Sequence, residues 1–317
     1  MSGVLILDRS QTRSALSPTQ LLPAITTALI AISRGEVSAP PRIAAFSPSG
    51  LLGAMPAYVP GLGLAGKLVS IFPSPGVVVR RSHRGIVALF DDQDGRLLAL
   101  MDAESITIAR TAAVAMLAMR ALAHRPSKRI AVVGTGEQAK AQVKALSNMG
   151  TPATVVVGGR SLERARETAS LHPSGSAGTI MEAVKGADVV FCCTDAREPV
   201  VRRSWFTEGA HISSIGGTNG PEIDEETVQD AAVFVEWEGA ATSPPPAGAY
   251  ELQGLSSDRV TLLGLVLDNQ HPGRQAASEL TLFKSTGHAA LDTAAASVAY
   301  AFALKNGVGS NTDLCDG

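Results

Sequence analysis

The sequence predicts an α/β protein, and three observations carry the prediction. Runs of β-branched residues alternate with helix-patterned stretches from about residue 129 onward. A glycine turn, Gly134-Thr135-Gly136, stands between the first of those runs and its helix. An earlier stretch of different character carries short strands separated by Gly, Pro, Ser and Asp.

Taken in order, VLILD (4–8) reads as a strand, and Ser17-Pro18 opens a helix that runs to about Arg34, with proline at the first helical position where its missing N–H costs nothing. RIAAF (42–46), LLGAMPAYV (51–59), LAGKLVSIFP (64–73), GIVALFD (85–91) and RLLALMD (96–102) are short strands, and Asp92–Gly95 marks a hairpin turn. ESITIARTAAVAMLAMRALAH (104–124) is a long helix, ended by Arg125-Pro126-Ser127. RIAVVGTGEQAKAQVKAL (129–146) is strand, tight turn and helix, with Ala141, Val143 and Leu146 near one side. ATVVVGGRSLERARETAS (153–170) repeats that unit, and ADVVFCCTDAREPVV (187–201) supplies a third buried strand that ends in a small-residue turn. Three such units describe a mononucleotide-binding half of Rossmann type. HISSIGG (211–217) and AVFVEW (232–237) read as the next strands. TLLGLVLD (261–268) then precedes ELTLFKSTGHAALDTAAASVAYAFAL (279–304), a strand-like run, a turn and a long alanine-rich helix. SPPPAG (243–248) is a proline-rich loop.

The glycine turn has a chemical purpose. Gly134 can take a backbone conformation closed to other residues, and Gly136 lacks the side chain that would keep a pyrophosphate from the helix N-terminus. The unpaired first-turn amides of that helix carry partial positive charge, which suits a phosphate. The third fingerprint position is Ala139, small enough for helix and strand to pack closely. Gly134, Thr135, Gly136, Glu137, Gln138 and Ala139 are therefore the candidate dinucleotide cradle, joined by Thr194 in the turn after the third strand. At the tip of the second strand, where NAD binders place an acid for the ribose hydroxyl, Gly158-Gly159-Arg160-Ser161 stand instead, with Arg164 one turn further on. A guanidinium and a hydroxyl there suit a 2′-phosphate, so Arg160, Ser161 and Arg164 favour NADP(H), with NAD(H) possible. The other reading of Arg160 is a solvated loop arginine.

Composition bounds the answer. The chain has 317 residues, enough for about two domains and a large core. It is 45% hydrophobic and 18% charged with a formal net charge of −2, which gives no electrostatic reason for a nucleic-acid or membrane partner. LLPAITTALIAI (21–32) is too short and too broken by Pro23 and threonines to span a bilayer, and no signal-peptide pattern opens the chain. Three cysteines, Cys192, Cys193 and Cys315, form no disulfide framework, so a reducing, cytoplasmic setting is expected.

Several separated stretches now carry a resemblance. AMPAYV (54–59) with GKLVSIFP (66–73), HRGIVALFDDQDGRLLALMDAESITIARTAA (83–113), the Gly134 turn and ELTLFKSTGHAALD (279–292) resemble, in order, the signature blocks of the ornithine cyclodeaminase and μ-crystallin family. The resemblance implies a Rossmann domain inserted in a smaller α+β domain for substrate binding and dimerisation, with residues 1–123 plus 292–317 in the latter and 124–291 in the former. It also implies a homodimer and a hydride transfer between a nicotinamide and the α-carbon of an amino acid or its imine. Matched by position, Arg42, Lys67 and Arg110 look like the family's cluster for the substrate carboxylate, and Thr111 like its hydroxyl near the cofactor phosphates. Two guanidiniums offer planar forks and Lys67 a compact charge with a proton to give, which makes Lys67 the candidate catalytic group. Taken singly each cation could be a solvated surface charge, except Arg110, which sits on an otherwise apolar helix and needs a partner.

One departure from the resemblance bears on subtype. Where cyclodeaminases of the family place an Asp after the strand equivalent to HISSIGG, this chain has Gly217-Thr218-Asn219-Gly220, and the next carboxylates are Glu222 and Asp224. Where they hold an acid before the Met-Pro pair, Gly53-Ala54 precede Met55-Pro56. Ammonia loss from a diamino acid needs such groups, whereas reduction of a preformed imine needs less, with Lys67, its pKa lowered by burial and the arginines, as proton donor or hydrogen-bond partner. The expectation is an NADP(H)-dependent reductase of a small, cyclic ketimine 2-carboxylate giving the L-amino acid. The alternatives are an alanine-type amino-acid dehydrogenase, an NAD-dependent cyclodeaminase and a μ-crystallin-like binding protein. His83 either lines the cleft or is structural. The other histidines lack metal-ligand spacing, so no metal is expected. Asp292, before the last helix, either faces the nicotinamide or caps that helix, the second being the favoured reading.

Overall fold

The computed structural model describes residues 3–72, 84–124 and 126–314, so His83 and Cys315 lie outside the described residues. From the N-terminus, β1 (Val4–Leu7) leads through α1 (Arg9–Ala15) to α2 (Pro18–Ser33). Five strands follow: β2 (Ile43–Ser47), β3 (Gly50–Val59), β4 (Gly63–Ile71), β5 (Arg84–Phe90) and β6 (Leu97–Asp102). Next come α3 (Ala103–Leu122), β7 (Arg129–Val133), α4 (Glu137–Asn148), β8 (Thr154–Gly158), α5 (Leu162–Ala169), β9 (Gly175–Gly178), α6 (Ile180–Val184) and β10 (Val189–Cys192). After β11 (His211–Ser214) stand α7 (Glu225–Asp230), β12 (Ala232–Val235), α8 (Gly239–Thr242), β13 (Val260–Leu262), α9 (Leu263–Leu267), β14 (Thr281–Lys284), α10 (Ala289–Asn306) and β15 (Ser310–Thr312).

The chain divides into two compact units, Met1–Arg110 with His288–Gly317, and Thr111–Gly287. The first break falls inside α3, which the sequence analysis placed whole in the first domain. A helix that runs unbroken from one unit into the other leaves no turn residue to mark the passage.

In the first unit seven strands form one mixed sheet in the order β15-β1-β6-β5-β4-β3-β2. Strand periodicity fixes which side chains go inward. In β4, Ala65, Lys67 and Val69 are buried while Leu64 and Leu68 are exposed, and Lys67 pairs across the sheet with Met55 of β3 and Val87 of β5. α10 lies on that inner face. Its buried alanines, among them Ala290, Ala294, Ala295, Ala299 and Ala303, allow a helix to come close to a sheet, and Gly307 ends it in the left-handed conformation with φ 63°.

The second unit is an eight-stranded parallel sheet, β13-β12-β14-β11-β10-β7-β8-β9, a doubly wound nucleotide-binding fold as the sequence predicts. Strand order reverses at β7, which has β8 on one side and β10 on the other. The third strand of the first half is β9 rather than β10, a correction to the expected units. β9 reads GSAG and has no apolar run, so it carried no strand signal, and β10 opens the second half on the opposite side of β7. The short helix α1, also absent from the expectation, begins at a capping box in which Asp8 and Gln11 bond reciprocally. α3 is long and apolar enough to cross a membrane by composition, yet 67% of its most apolar window is buried in protein, as in a core helix.

Candidate functional site

The first unit gathers a set of charges on the inner face of its sheet. Lys67, brought inward by the β4 alternation, is 4% exposed, and its Nζ lies 2.7 Å from Oδ2 of Asp292 on the first turn of α10. Arg110, which faces inward from α3, sets its Nε 3.2 Å from the other Asp292 oxygen, Oδ1. Lys67 also donates to the hydroxyl of Thr107, one helical turn before Arg110, at 3.4 Å. Arg42, half-buried just before β2, adds its charge to the field acting on Lys67. Two cations thus meet one carboxylate, and a third, Arg42, acts on Lys67 and on His288.

Burial pushes the Lys67 ammonium below the ordinary lysine range; Asp292 works against that shift, and the charges of Arg110 and Arg42 add to it. Burial alone would raise the Asp292 carboxyl, but Lys67 and Arg110 outweigh it and hold the group below the usual carboxylate range. His288 caps α10, its Nδ1 accepting from the Ala290 amide at 3.3 Å. Burial, opposed by Asp292 and reinforced by Arg42 and Arg110, brings its pKa down to about 4, so it is neutral near pH 7. The cap is therefore His288, and Asp292 is the partner that Arg110 needs, which corrects the capping role expected for Asp292.

The second unit builds the glycine turn at the end of β7. Gly134 has φ +119°, and a Cβ there would lie 2.6 Å from the carbonyl oxygen of Cys193. Gly136 is the N-cap of α4 and opens on free space, with nothing within 4 Å of where a Cβ would stand. Exposed helix-start amides beside an uncluttered approach fit a dinucleotide pyrophosphate. Ala139 is fully buried against the sheet, Thr135 packs its methyl towards Gly159, and Glu137 turns out to pair with Lys140 at 3.3 Å. The carbonyl oxygen of the Gln138 side chain is buried without a partner among the described residues. Arg160 and Arg164 are exposed beyond the tip of β8, and Ser161 between them accepts from the Arg164 amide at 3.3 Å as the N-cap of α5. Thr111 is buried on α3 at 4% exposure.

At the neighbouring strand ends a polar network was not visible in the sequence. Thr194, after β10, bonds to Glu222, whose other oxygen accepts from the Ser214 hydroxyl at 2.7 Å and the Gly216 amide at 2.9 Å. Lys284 at the end of β14 donates to Ser214 Oγ at 2.9 Å and to the Gly216 carbonyl at 3.0 Å, and pairs with Glu251 at 3.0 Å. Glu222 and Lys284 are buried, at 0% and 1% exposure. Asp224 caps α7 and also accepts from the Arg203 amide at 3.1 Å. The two carboxylates that follow the Gly217–Gly220 turn are thus both engaged within the fold, while Asn219 of the turn donates to Asp195 at 2.5 Å.

Comparison with known proteins is consistent along the chain. The profile of the ornithine cyclodeaminase/mu-crystallin family matches residues 4–307. Ketimine reductase mu-crystallin of Mus musculus is 32% identical over 294 residues, covering 90% of this chain and 92% of its own. Among solved structures, Thermococcus litoralis Delta(1)-pyrroline-2-carboxylate reductase in complex with NADH and L-proline superposes with a TM-score of 0.87 at 28% identity, covering 98% of this chain and 100% of its own. An archaeal alanine dehydrogenase dimer with bound NAD gives 0.86 at 28% identity, covering 98% and 99%.

Proposed function

Because this chain belongs to the ornithine cyclodeaminase/mu-crystallin family, we propose that it is an oxidoreductase that reduces the C=N bond of a small, cyclic ketimine 2-carboxylate to the L-amino acid with NADP(H). The observation that carries the reading is the pairing of Lys67 and Arg110 with Asp292 inside the first unit, with the charge of Arg42 felt at Lys67. Lys67 and Arg110 against the single carboxylate of Asp292 leave this buried group net positive, suited to an anionic substrate. Arg110 uses Nε on Asp292, which leaves its two terminal nitrogens to meet a carboxylate in a bidentate fork, and the charge of Arg42 adds to the attraction for it.

Reduction converts C=N to CH–NH, with a hydride added at carbon and a proton at nitrogen. The nicotinamide, when bound, supplies the hydride. Lys67 supplies the proton or the hydrogen bond at nitrogen, and a lowered pKa makes its ammonium a better acid than a free lysine. Gly134, Thr135, Gly136, Glu137, Gln138, Ala139 and Thr194 would hold the dinucleotide phosphates, Thr111 would add a hydroxyl, and Arg160, Ser161 and Arg164 would take the 2′-phosphate. The relatives named with NADH and NAD support a nicotinamide dinucleotide, and the arginines of this chain support the phosphorylated form. The engagement of Glu222 and Asp224 supports reduction over ammonia elimination, since neither is left to act on a second amine. A homodimer is the expected assembly.

Following NADPH absorbance with pyrroline-2-carboxylate, and separately with pyruvate plus ammonia, tests the reading. Oxidation with the cyclic imine is the expected result. Turnover only with pyruvate plus ammonia would make the protein a dehydrogenase, and ammonia release from ornithine without net cofactor change would make it a cyclodeaminase.

A further inference from the structure

A carboxylate buried among cations that must themselves meet an anionic substrate is at first sight a competitor for that substrate. The geometry argues against competition. Asp292 is 2% exposed, and it takes Lys67 with one oxygen at 2.7 Å and Arg110 with the other at 3.2 Å. It reaches Arg110 at Nε, the inner nitrogen of the guanidinium, so the outer edge of that group is left for a ligand. It stands on the first turn of α10, where the partial positive charge of the helix start stabilises an anion. The helix itself is fixed, with alanines packed on the sheet and Thr293 bonded to the Ala57 carbonyl at 3.4 Å.

We infer that Asp292 is the positioning residue of this cluster, a two-oxygen clamp that orients Arg110 edge-outward and holds Lys67 in place as an ammonium. The inference rests on the reductase reading for the reaction that Lys67 serves, and it identifies the group that makes Lys67 fit for it. Without Asp292, Lys67 would keep its burial and the like charges of Arg110 on α3 and Arg42 before β2 and lose the carboxylate that opposes them, while His288 on α10, being neutral, adds no further positive charge. A buried amine between two guanidiniums sheds its proton. The amine would then have none to give, and Arg110, released from its clamp, would rotate freely.

The test uses the full-length Asp292→Asn and Asp292→Glu variants beside the unmodified chain, with thermal unfolding measured for each. For pyrroline-2-carboxylate reduction, kcat should fall roughly a hundredfold or more in Asp292→Asn, the size of a lost general acid. The alkaline limb of its pH profile should move to lower pH. Asp292→Glu, which keeps the charge but displaces it, should recover part of kcat and restore the limb. A second readout needs no turnover: the pH dependence of Lys67 modification by an amine-selective reagent, followed by mass spectrometry. Lys67 should become reactive at lower pH in Asp292→Asn than in the unmodified chain. If the unmodified chain reduces no imine, the functional reading fails and the modification profile still decides the role of Asp292. An Asp292→Asn protein with unshifted Lys67 reactivity overturns the inference, as does a folded Asp292→Asn or Asp292→Glu variant with the kcat and pH profile of the unmodified chain. Should Asp292→Asn not fold, the same measurements on Asp292→Glu decide, a displaced alkaline limb with lowered kcat supporting the clamp.

Discussion

Thr194 donates from both its backbone amide and its hydroxyl to the same oxygen of Glu222, each at 2.6 Å. The other Glu222 oxygen takes Ser214 and Gly216, so one buried carboxylate closes the ends of β10 and β11 against each other. These strand ends stand beside the point at β7 where strand order reverses, the position at which doubly wound sheets bind their ligands. Glu222→Gln replaces an acceptor with a donor opposite existing donors. It should cost about 1.5–3 kcal/mol of stability, the range for hydrogen bonds to a charged group. Cofactor affinity should fall with it. Thermal unfolding and a cofactor titration check both, and an unchanged melting temperature would show that the network has no stabilising role.

The second prediction concerns cofactor choice. Arg160 is exposed at the tip of β8, where no acid stands. Arg160→Ala should weaken NADPH binding by about 1–3 kcal/mol, the worth of a charge-assisted contact, and leave NADH nearly unchanged. Added salt should narrow the difference, because the lost interaction is between exposed charges. Fluorescence titration with each cofactor decides it; equal losses for both would mean that Arg160 is a solvated loop residue.

These two sites differ in how far they could be read in advance. The turn at Gly134 and the arginine at 160 are local, each signalled by neighbours within a few positions. Lys67 was legible only through the resemblance to the family, since a lone lysine reads as a solvated charge; strand alternation, which sets it on the side of Ala65 and Val69, is what accounts for its burial in the structure. Asp292 was not, because an acid at a helix start has a sufficient local explanation, and its actual partners lie on β4 and α3, far away in sequence. Glu222 was hidden for the same reason, being 28 residues from Thr194. β9, with the sequence GSAG, shows the opposite limit: its place is fixed by pairing with β8, and nothing in its own residues asks for a strand.

Acid sensitivity follows from the buried histidines. His211 is fully buried between the Thr281 and Ser213 hydroxyls, each 2.9 Å from a ring nitrogen. Burial, with the Arg274 charge adding to it, brings its pKa from 6.5 down to about 3. His288 shifts the same way, to about 4. Below the unfolded pKa the unfolded chain binds protons that the folded chain refuses, so stability falls as pH falls, until the folded pKa is reached. The window runs from 6.5 towards 4, with a slope of up to roughly 1.4 kcal/mol per pH unit for each histidine. Asp292, held low in the folded state, adds its own loss only below the ordinary carboxylate range. Denaturant unfolding at stepped pH measures the slope, and His211→Gln should flatten it. A stability that stays level between about pH 6 and pH 4 would mean that these imidazoles are accessible to protons in the folded protein.

The last prediction concerns the face of the first-unit sheet opposite Lys67. Cross-strand register lines up Ile43, Ala54, Leu68 and Ile86 in one row across β2, β3, β4 and β5. Ile43 is 69% exposed, and Leu68 and Ile86 are each 41% exposed. Leu52 and Leu64 widen the row on the same side, at 50% and 37%. Isolated exposed apolar residues are ordinary, but an apolar strip running across four strands is the kind of surface that serves for interaction. A second copy placed face to face would cover it with a self-complementary patch, as two-fold assembly requires. Leu68→Asp places a charge at the centre of the strip and leaves the inner face alone, because Lys67 and Leu68 point to opposite sides of β4. Light scattering coupled to size exclusion should then give a dimer for the unmodified chain and a monomer for Leu68→Asp, with Lys67 modification by an amine-selective reagent unaltered. A monomeric unmodified chain, or a Leu68→Asp protein that stays dimeric, would rule this face out as the interface.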